Sequence, residues 1–159
     1  MQVTNRSDGI VTYSIPELNV HRTFARNETK DITVKELNQL YQINGGAEIL
    51  RHFLLVHDRE WVNKTWDPPL EYFWGEKEII KCLQEDSIEL FAETLDYAPI
   101  GVIDLIKEYS WRLPLTDLNK AEVLLKKTGF DAIAAIEVMK TDDTKQQAPT
   151  KGARLRKEE

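Results

Sequence analysis

The chain has 159 residues, of which 42% are hydrophobic and 30% charged. That supports one core or two small ones and excludes collagen-like, mucin-like and wholly disordered chains. Lys and Arg number 21 against 27 Asp and Glu, a net charge of −6. This speaks against a dedicated nucleic-acid binder, whose footprint is a basic face, while leaving a local patch open.

The single cysteine, Cys82, has no internal disulfide partner, so no oxidising compartment is required. The stretch from Met1 to Gly9 is polar and lacks the basic-then-apolar pattern of a signal peptide. No run approaches the roughly 20 apolar residues of a membrane span. We therefore expect a chain made in the cytosol, with no signal peptide and no membrane association.

In chain order, Ile10, Tyr13 and Ile15 with the β-branched Val11 and Thr12 predict a strand ended by Pro16. A second runs from Leu18 to Phe24, with Arg22 at its edge, and a third short one covers Lys30, Asp31 and Ile32. So small a sheet needs a helix or a partner to cover it.

Thr33-Val34-Lys35-Glu36 fits a capping box, in which the Thr hydroxyl and the Glu carboxylate reciprocally satisfy backbone N–H groups. The helix it opens carries Leu37, Leu40 and Tyr41 and ends at Asn44-Gly45-Gly46. A second helix is expected from Ala47 to Val56. Between Asp58 and Gly75 lie Trp61, Trp66, Tyr72, Phe73 and Trp74 around Pro68-Pro69. We read this stretch as a loop, its rings either pinning it to the core or offering anchors to a partner.

Short helices follow. One covers Glu76 to Leu83, the next is capped by Asp86-Ser87, and a third has Pro99 in its first turn. A fourth is capped by Thr116 or Asp117 and ended by Gly129, and a fifth runs from Phe130 to Lys140. From Thr141 onward the pattern is lost. The whole reads as α+β, mostly α: a small N-terminal antiparallel β element (1–32), a helical hairpin (33–57), an aromatic-rich loop (58–75), a bundle of short helices (76–140) and a disordered tail (141–159).

No catalytic template fits. Asn44-Gly45-Gly46 lacks the Gly-Lys-Ser/Thr of a phosphate loop. His52 and His57 are five residues apart, wrong for two ligands on one helix face. Cys82 lies near an apolar stripe, as a buried structural thiol does. Glu85, Asp86, Glu89, Glu93 and Asp96 recur as a solvated helix face does, although paired acids in a cleft can hydrolyse glycosides. We expect no catalytic residues, no metal, no cofactor and no small-molecule substrate.

The hairpin from Thr116 to Lys140 has the outline of a helix-turn-helix. The start of its second helix, however, reads Asp131-Ala-Ile-Ala-Ala135, without base-reading side chains. Lys120, Lys126 and Lys127 on its first helix could touch phosphates only. Gly129-Phe130 followed by Ala-Ile is also similar to a ubiquitin-associated three-helix module. A plain helical hairpin is the simpler reading. In the tail, Lys151, Arg154, Arg156 and Lys157 form a basic cluster that could meet an acidic surface or serve solubility.

Two passages carry a family resemblance. One is Val11-Thr-Tyr-Ser-Ile-Pro-Glu-Leu18 with Arg22-Thr-Phe24, Glu28-Thr-Lys30, Glu36-Leu37 and Gly45-Gly46. The other is Leu95-Asp-Tyr-Ala-Pro-Ile-Gly-Val-Ile-Asp-Leu-Ile106 with Leu113-Pro-Leu-Thr-Asp117, Lys127-Thr-Gly-Phe-Asp131 and Ala135-Ile136. In order and spacing from Val11 to Lys140 they resemble small virion-associated proteins of tailed phages of Gram-positive bacteria, with Asn44 where that pattern would have proline.

The resemblance implies a structural role without catalysis, on capsid, neck or tail, with other virion proteins as partners. The location would be the virion, and the host cytoplasm during assembly. From the residues we expect docking through the strand edge at Tyr13, Ile15, Arg22 and Phe24, and through aromatic anchors at Trp61, Trp66, Tyr72 and Trp74. The alternative is a small phage nucleic-acid-binding or regulatory protein that uses the Thr116–Lys140 hairpin.

Overall fold

The computed structural model describes residues 1–67 and 70–147, with side chains as far as Thr141. Two hydrophobic cores lie side by side, an α/β core in the N-terminal half and an all-helical one in the C-terminal half. The α+β, mostly helical class expected from the sequence is the one observed.

The first strand, β1 (Gln2–Asn5), lies in the stretch that the sequence left unassigned. It is the central strand of a three-stranded antiparallel sheet, between β4 (Thr29–Asp31) and β5 (Leu54–Val56). Val3 faces Lys30 on one side and Val56 on the other. Only Val3 marks it as apolar, because its second inward position is Asn5, a buried polar residue. The Asn5 amide donates to the Gly9, Phe24 and Ala25 carbonyls, and its oxygen accepts from the Ser7 N–H and hydroxyl. These partners offset the cost of taking the amide out of water.

The second sheet is a hairpin, β2 (Val11–Ile15) and β3 (Val20–Phe24), joined by a 3-10 turn over Pro16–Leu18 and by Asn19 at φ 51°. Val11 pairs with Phe24 and Ile15 with Val20. Val11, Tyr13 and Ile15 turn inward, while Thr12 and Ser14 turn out.

Helix α1 (Val34–Gln42) starts at Thr33, whose hydroxyl accepts from the Glu36 N–H at 3.2 Å. The expected reciprocal half of the capping box is absent, because Tyr13 and Arg22 engage the Glu36 carboxylate. Gly45 (φ 82°) and Gly46 then turn the chain into α2 (Gly46–His52). A Cβ on Gly46 would lie 1.6 Å from the Leu40 carbonyl oxygen, so only glycine fits.

The expected helix to Val56 stops at His52, and the last three residues form β5. Leu-Leu-Val is buried throughout, a pattern that periodicity alone does not separate from a buried helix turn. Here the open edge of β1 decides it.

The stretch expected to be a loop contains a helix, α3 (Arg59–Thr65), opened by Asp58, whose carboxylate accepts from the Trp61 N–H. Of its rings, Trp61, Trp66 and Phe73 pack on the first core, and Tyr72 and Trp74 on the second. The segment thus bridges the two halves.

The second core consists of α4 (Glu76–Gln84), α5 (Ile88–Tyr97), α6 (Ile100–Arg112), α7 (Leu118–Thr128) and α8 (Ala132–Gln147). Ser87, Asp117 and Asp131 accept N–H bonds at helix starts, and Gly129 (φ 79°) ends α7. Pro99 is the cap of α6 and so precedes its first turn by one residue. Helix α8 runs on to Gln147, past the expected end of order at Thr141, since no Gly or Pro interrupts it before Pro149. The rest of the expected tail, 148–159, lies outside the described residues. No helix among the described residues is long and apolar enough to cross a membrane.

Candidate functional site

The proposed strand-edge residues face into the protein. Tyr13, Ile15 and Phe24 are buried, and the Tyr13 hydroxyl donates to the Glu36 carboxylate at 2.8 Å. Arg22 grips the same carboxylate with two bonds, Nε at 2.8 Å and Nη2 at 3.0 Å. Hydrogen bonding from Arg22 holds Glu36 below the usual carboxylate range against the opposing effect of burial. Burial, and then Glu36, raise the Tyr13 phenol. This triad fastens the hairpin to α1.

The aromatic anchors divide. Trp61 and Trp66 are buried and meet edge to face at 5.8 Å. Trp66 also meets Tyr41 at 5.0 Å, and the Trp61 indole donates to Asn38 at 2.9 Å. These rings belong to the core, the first of the two roles open to them. Tyr72 and Trp74 are half-buried and packed edge to face at 5.3 Å. The tail residues Lys151, Arg154, Arg156 and Lys157 lie outside the described residues.

The candidates for chemistry hold structural positions. The Cys82 thiol is buried, and desolvation pushes it up to about 12, so it is not a thiolate at neutral pH. His57 bonds Thr4 at 2.8 Å. The His52 Nδ1 accepts from the Ile100 N–H at 3.0 Å, and its Nε2 lies 3.1 Å from Glu48. Glu85, Glu89, Glu93 and Asp96 are exposed, and Asp96 pairs with Lys127. Among the described residues no three His, Cys, Asp or Glu side chains are placed to hold a metal.

The three lysines considered for phosphate contact are engaged. Lys120 is buried, and its ammonium donates to the Cys82 and Leu83 carbonyls near the end of α4, close to the face of Phe91. A cation at that place complements the helix dipole. Lys126 pairs with Glu122 and Lys127 with Asp96. The nucleic-acid alternative therefore loses its buried member, and its other two members are paired with carboxylates.

Sequence reasoning missed the junction between the halves. Arg6 is 4% exposed. It reaches from the end of β1 to donate to the Tyr72 carbonyl at 2.6 Å and the Arg51 carbonyl at 2.9 Å. Its Nε is buried without a partner. Tyr72, at φ 61°, is a non-glycine residue in the left-handed region, a conformation that persists only where its surroundings impose it. A cleft of about 470 Å3, lined by Arg51, Asp67, Glu71, Tyr72 and Tyr97 among others, opens between the end of α2, the aromatic segment and the turn from α5 to α6. The only sequence signal was an arginine in a polar stretch beside a strand.

No protein-family model matches the chain, and comparison with curated proteins and with solved structures returned no match.

Proposed function

We propose that the chain is a non-enzymatic virion component of a tailed phage that docks onto other virion proteins of the capsid, neck or tail. The observation that carries the docking role is the β2–β3 hairpin. It is a two-stranded sheet in which neither strand pairs with a third among the described residues. Such an edge is a template for main-chain pairing with another protein. Ile10, 71% exposed, stands at its entrance. The Tyr13–Arg22–Glu36 triad keeps the hairpin rigid, which lowers the ordering cost of docking. The virion assignment rests on the residue resemblance from Val11 to Lys140.

Mass spectrometry of particles purified from the encoding phage tests the reading. The chain is expected at a fixed copy number. Ile10→Lys combined with Thr12→Lys, which places charge on the open edge, is expected to lower incorporation sharply while leaving circular dichroism unchanged. Absence from finished particles, or turnover of a small molecule by the pure chain, would overturn the assignment.

A further inference from the structure

We propose that Asn44 is a site of spontaneous covalent modification, at which the Gly45 backbone nitrogen displaces the side-chain amide and leaves aspartate or isoaspartate in the turn between α1 and α2. This holds or fails independently of the docking role.

Asn44 and Gly45 are exposed. The Gly46 N–H donates to the Ile43 carbonyl at 3.0 Å and closes a turn over them. Gly45, at φ 82° and ψ −10°, holds the glycine position of a type II turn. Its own N–H donates to no acceptor among the described residues, and the Asn44 carboxamide has no hydrogen-bond partner there either. Neither reacting group therefore has to leave a partner. A Cβ on Gly45 would meet nothing within 4 Å, so water and base reach its nitrogen.

The other asparagines lack these conditions. Only Asn44 precedes a glycine, the residue that crowds the attacking nitrogen least. After Asn5, Asn27 and Asn119 the next N–H is engaged, by the Phe53 carbonyl, the Ala25 carbonyl and the Asp117 carboxylate. Asn38 and Asn63 lie inside α1 and α3, where the next N–H belongs to the helix ladder. Asn19 precedes the β-branched Val20 of β3.

In the reaction, base removes the Gly45 N–H proton and the nitrogen electron pair attacks Asn44 Cγ. The Cγ–Nδ2 bond breaks, and the nitrogen takes up a proton from water and leaves as ammonia. A cyclic imide remains. Water then opens it. Addition at Cγ restores the original backbone with aspartate, and addition at the backbone carbonyl carbon reroutes the chain through Cγ as isoaspartate. No electrons are gained or lost, and ring closure is intramolecular between adjacent residues. Isoaspartate lengthens the main chain by one carbon where there is no slack, since Gly46 is buried against the Leu40 carbonyl. The modified turn thus pushes α2 away from the end of α1.

The test is incubation of the full native chain at pH 8 and at pH 6, followed by peptide mass spectrometry with fragment spectra and by enzymatic methylation of isoaspartate. At pH 8 the amide-to-acid mass gain should appear at Asn44 at least about tenfold faster than at any other asparagine, a factor that a small difference in barrier supplies. It should slow at pH 6, and isoaspartate should accept methyl groups. Asn44→Gln, whose longer side chain disfavours the ring, should abolish methyl acceptance. Equal rates at all asparagines, a mass gain at Asn44 only after unfolding in urea, a rate unchanged between pH 6 and pH 8, or methyl acceptance that survives in Asn44→Gln would each overturn the proposal.

Discussion

In the N-terminal half the core is closed by segments far apart in the chain. β1 pairs with residues about 30 positions away in β4 and about 50 away in β5, and buried polar groups such as Asn5, Arg6 and Glu36 tie the loops. In the C-terminal half each element is announced locally. Ser87, Asp117 and Asp131 open helices, Gly129 closes one, and the core is almost wholly apolar apart from Thr94, Ser110 and Lys120. The first half depends on non-local pairing, which incurs loop-closure entropy before any contact compensates. The second depends on local propensity and caps. Two cores of such different construction can nonetheless behave as one unit if the junction is tight.

The largest expected effects probe that coupling. Phe24 and Phe91 are fully buried, one in each core. Phe24→Ala and Phe91→Ala should each cost about 3–5 kcal/mol, the usual range for emptying a buried aromatic site. In urea unfolding, tryptophan fluorescence and far-ultraviolet circular dichroism should shift to lower midpoints together in both variants, because the aromatic segment and the α6 start join the halves. Separate midpoints would show two independently melting units and would break the comparison.

A smaller effect is expected at the junction itself. A Cβ on Gly101 would lie 2.3 Å from the His52 carbonyl oxygen and 3.3 Å from that of Arg6. Gly101→Ala must therefore push α6 off the end of α2, at a cost of about 1–3 kcal/mol typical of overpacking. The same two probes should then begin to diverge. If stability is unchanged and the probes stay coincident, Gly101 does not fix the distance between the halves.

The contrast also explains what could be read in advance. Caps and helix stops in the C-terminal half depend on residues within four positions of each other, so Ser87, Asp117 and Gly129 were legible. β1 was not, because Gln-Val-Thr-Asn becomes a strand only through partners far away in the chain. Leu54–Val56 was read as helix for the same reason. The strand at Val11–Ile15 was legible from its β-branched and aromatic residues, but that Val11 joins Tyr13 and Ile15 on the inward face was not. Arg22 and Tyr13 looked like edge residues until Glu36, on another element, claimed them. The Arg6 junction left no pattern at all, since a buried arginine held by carbonyls has no spacing rule.

Local rules can be tested where they carry the fold. Asp117 accepts from Asn119 and Lys120 at the start of α7, while Thr33 accepts from Glu36 at the start of α1. Each alanine substitution should cost about 1 kcal/mol by loss of the cap. Because the hairpin triad also holds α1, Thr33→Ala should fall below Asp117→Ala in a chemical-denaturation series. The reverse order would mean that the N-terminal helix depends on its cap more than on distant contacts.

The smallest effect follows from pH. Burial lowers His52, with Arg51 and Arg6 adding to this and Glu48 opposing it. The folded state prefers neutral imidazole because Nδ1 must accept from Ile100. A depressed folded pKa means that the unfolded chain takes up the proton first. The stabilisation is then complete above the ordinary histidine value of 6.5 and is lost as pH falls through the folded value. His52→Asn, whose side-chain oxygen can still accept from Ile100, should flatten the slope of stability against pH below that point. Glu36 gives a separate window, since its stabilisation is present above 4.5 and lost below it. Between pH 7 and pH 5 the difference between the native and His52→Asn profiles therefore reports this histidine, and a slope unchanged in His52→Asn would place the titrating contact elsewhere than at the junction of the two halves.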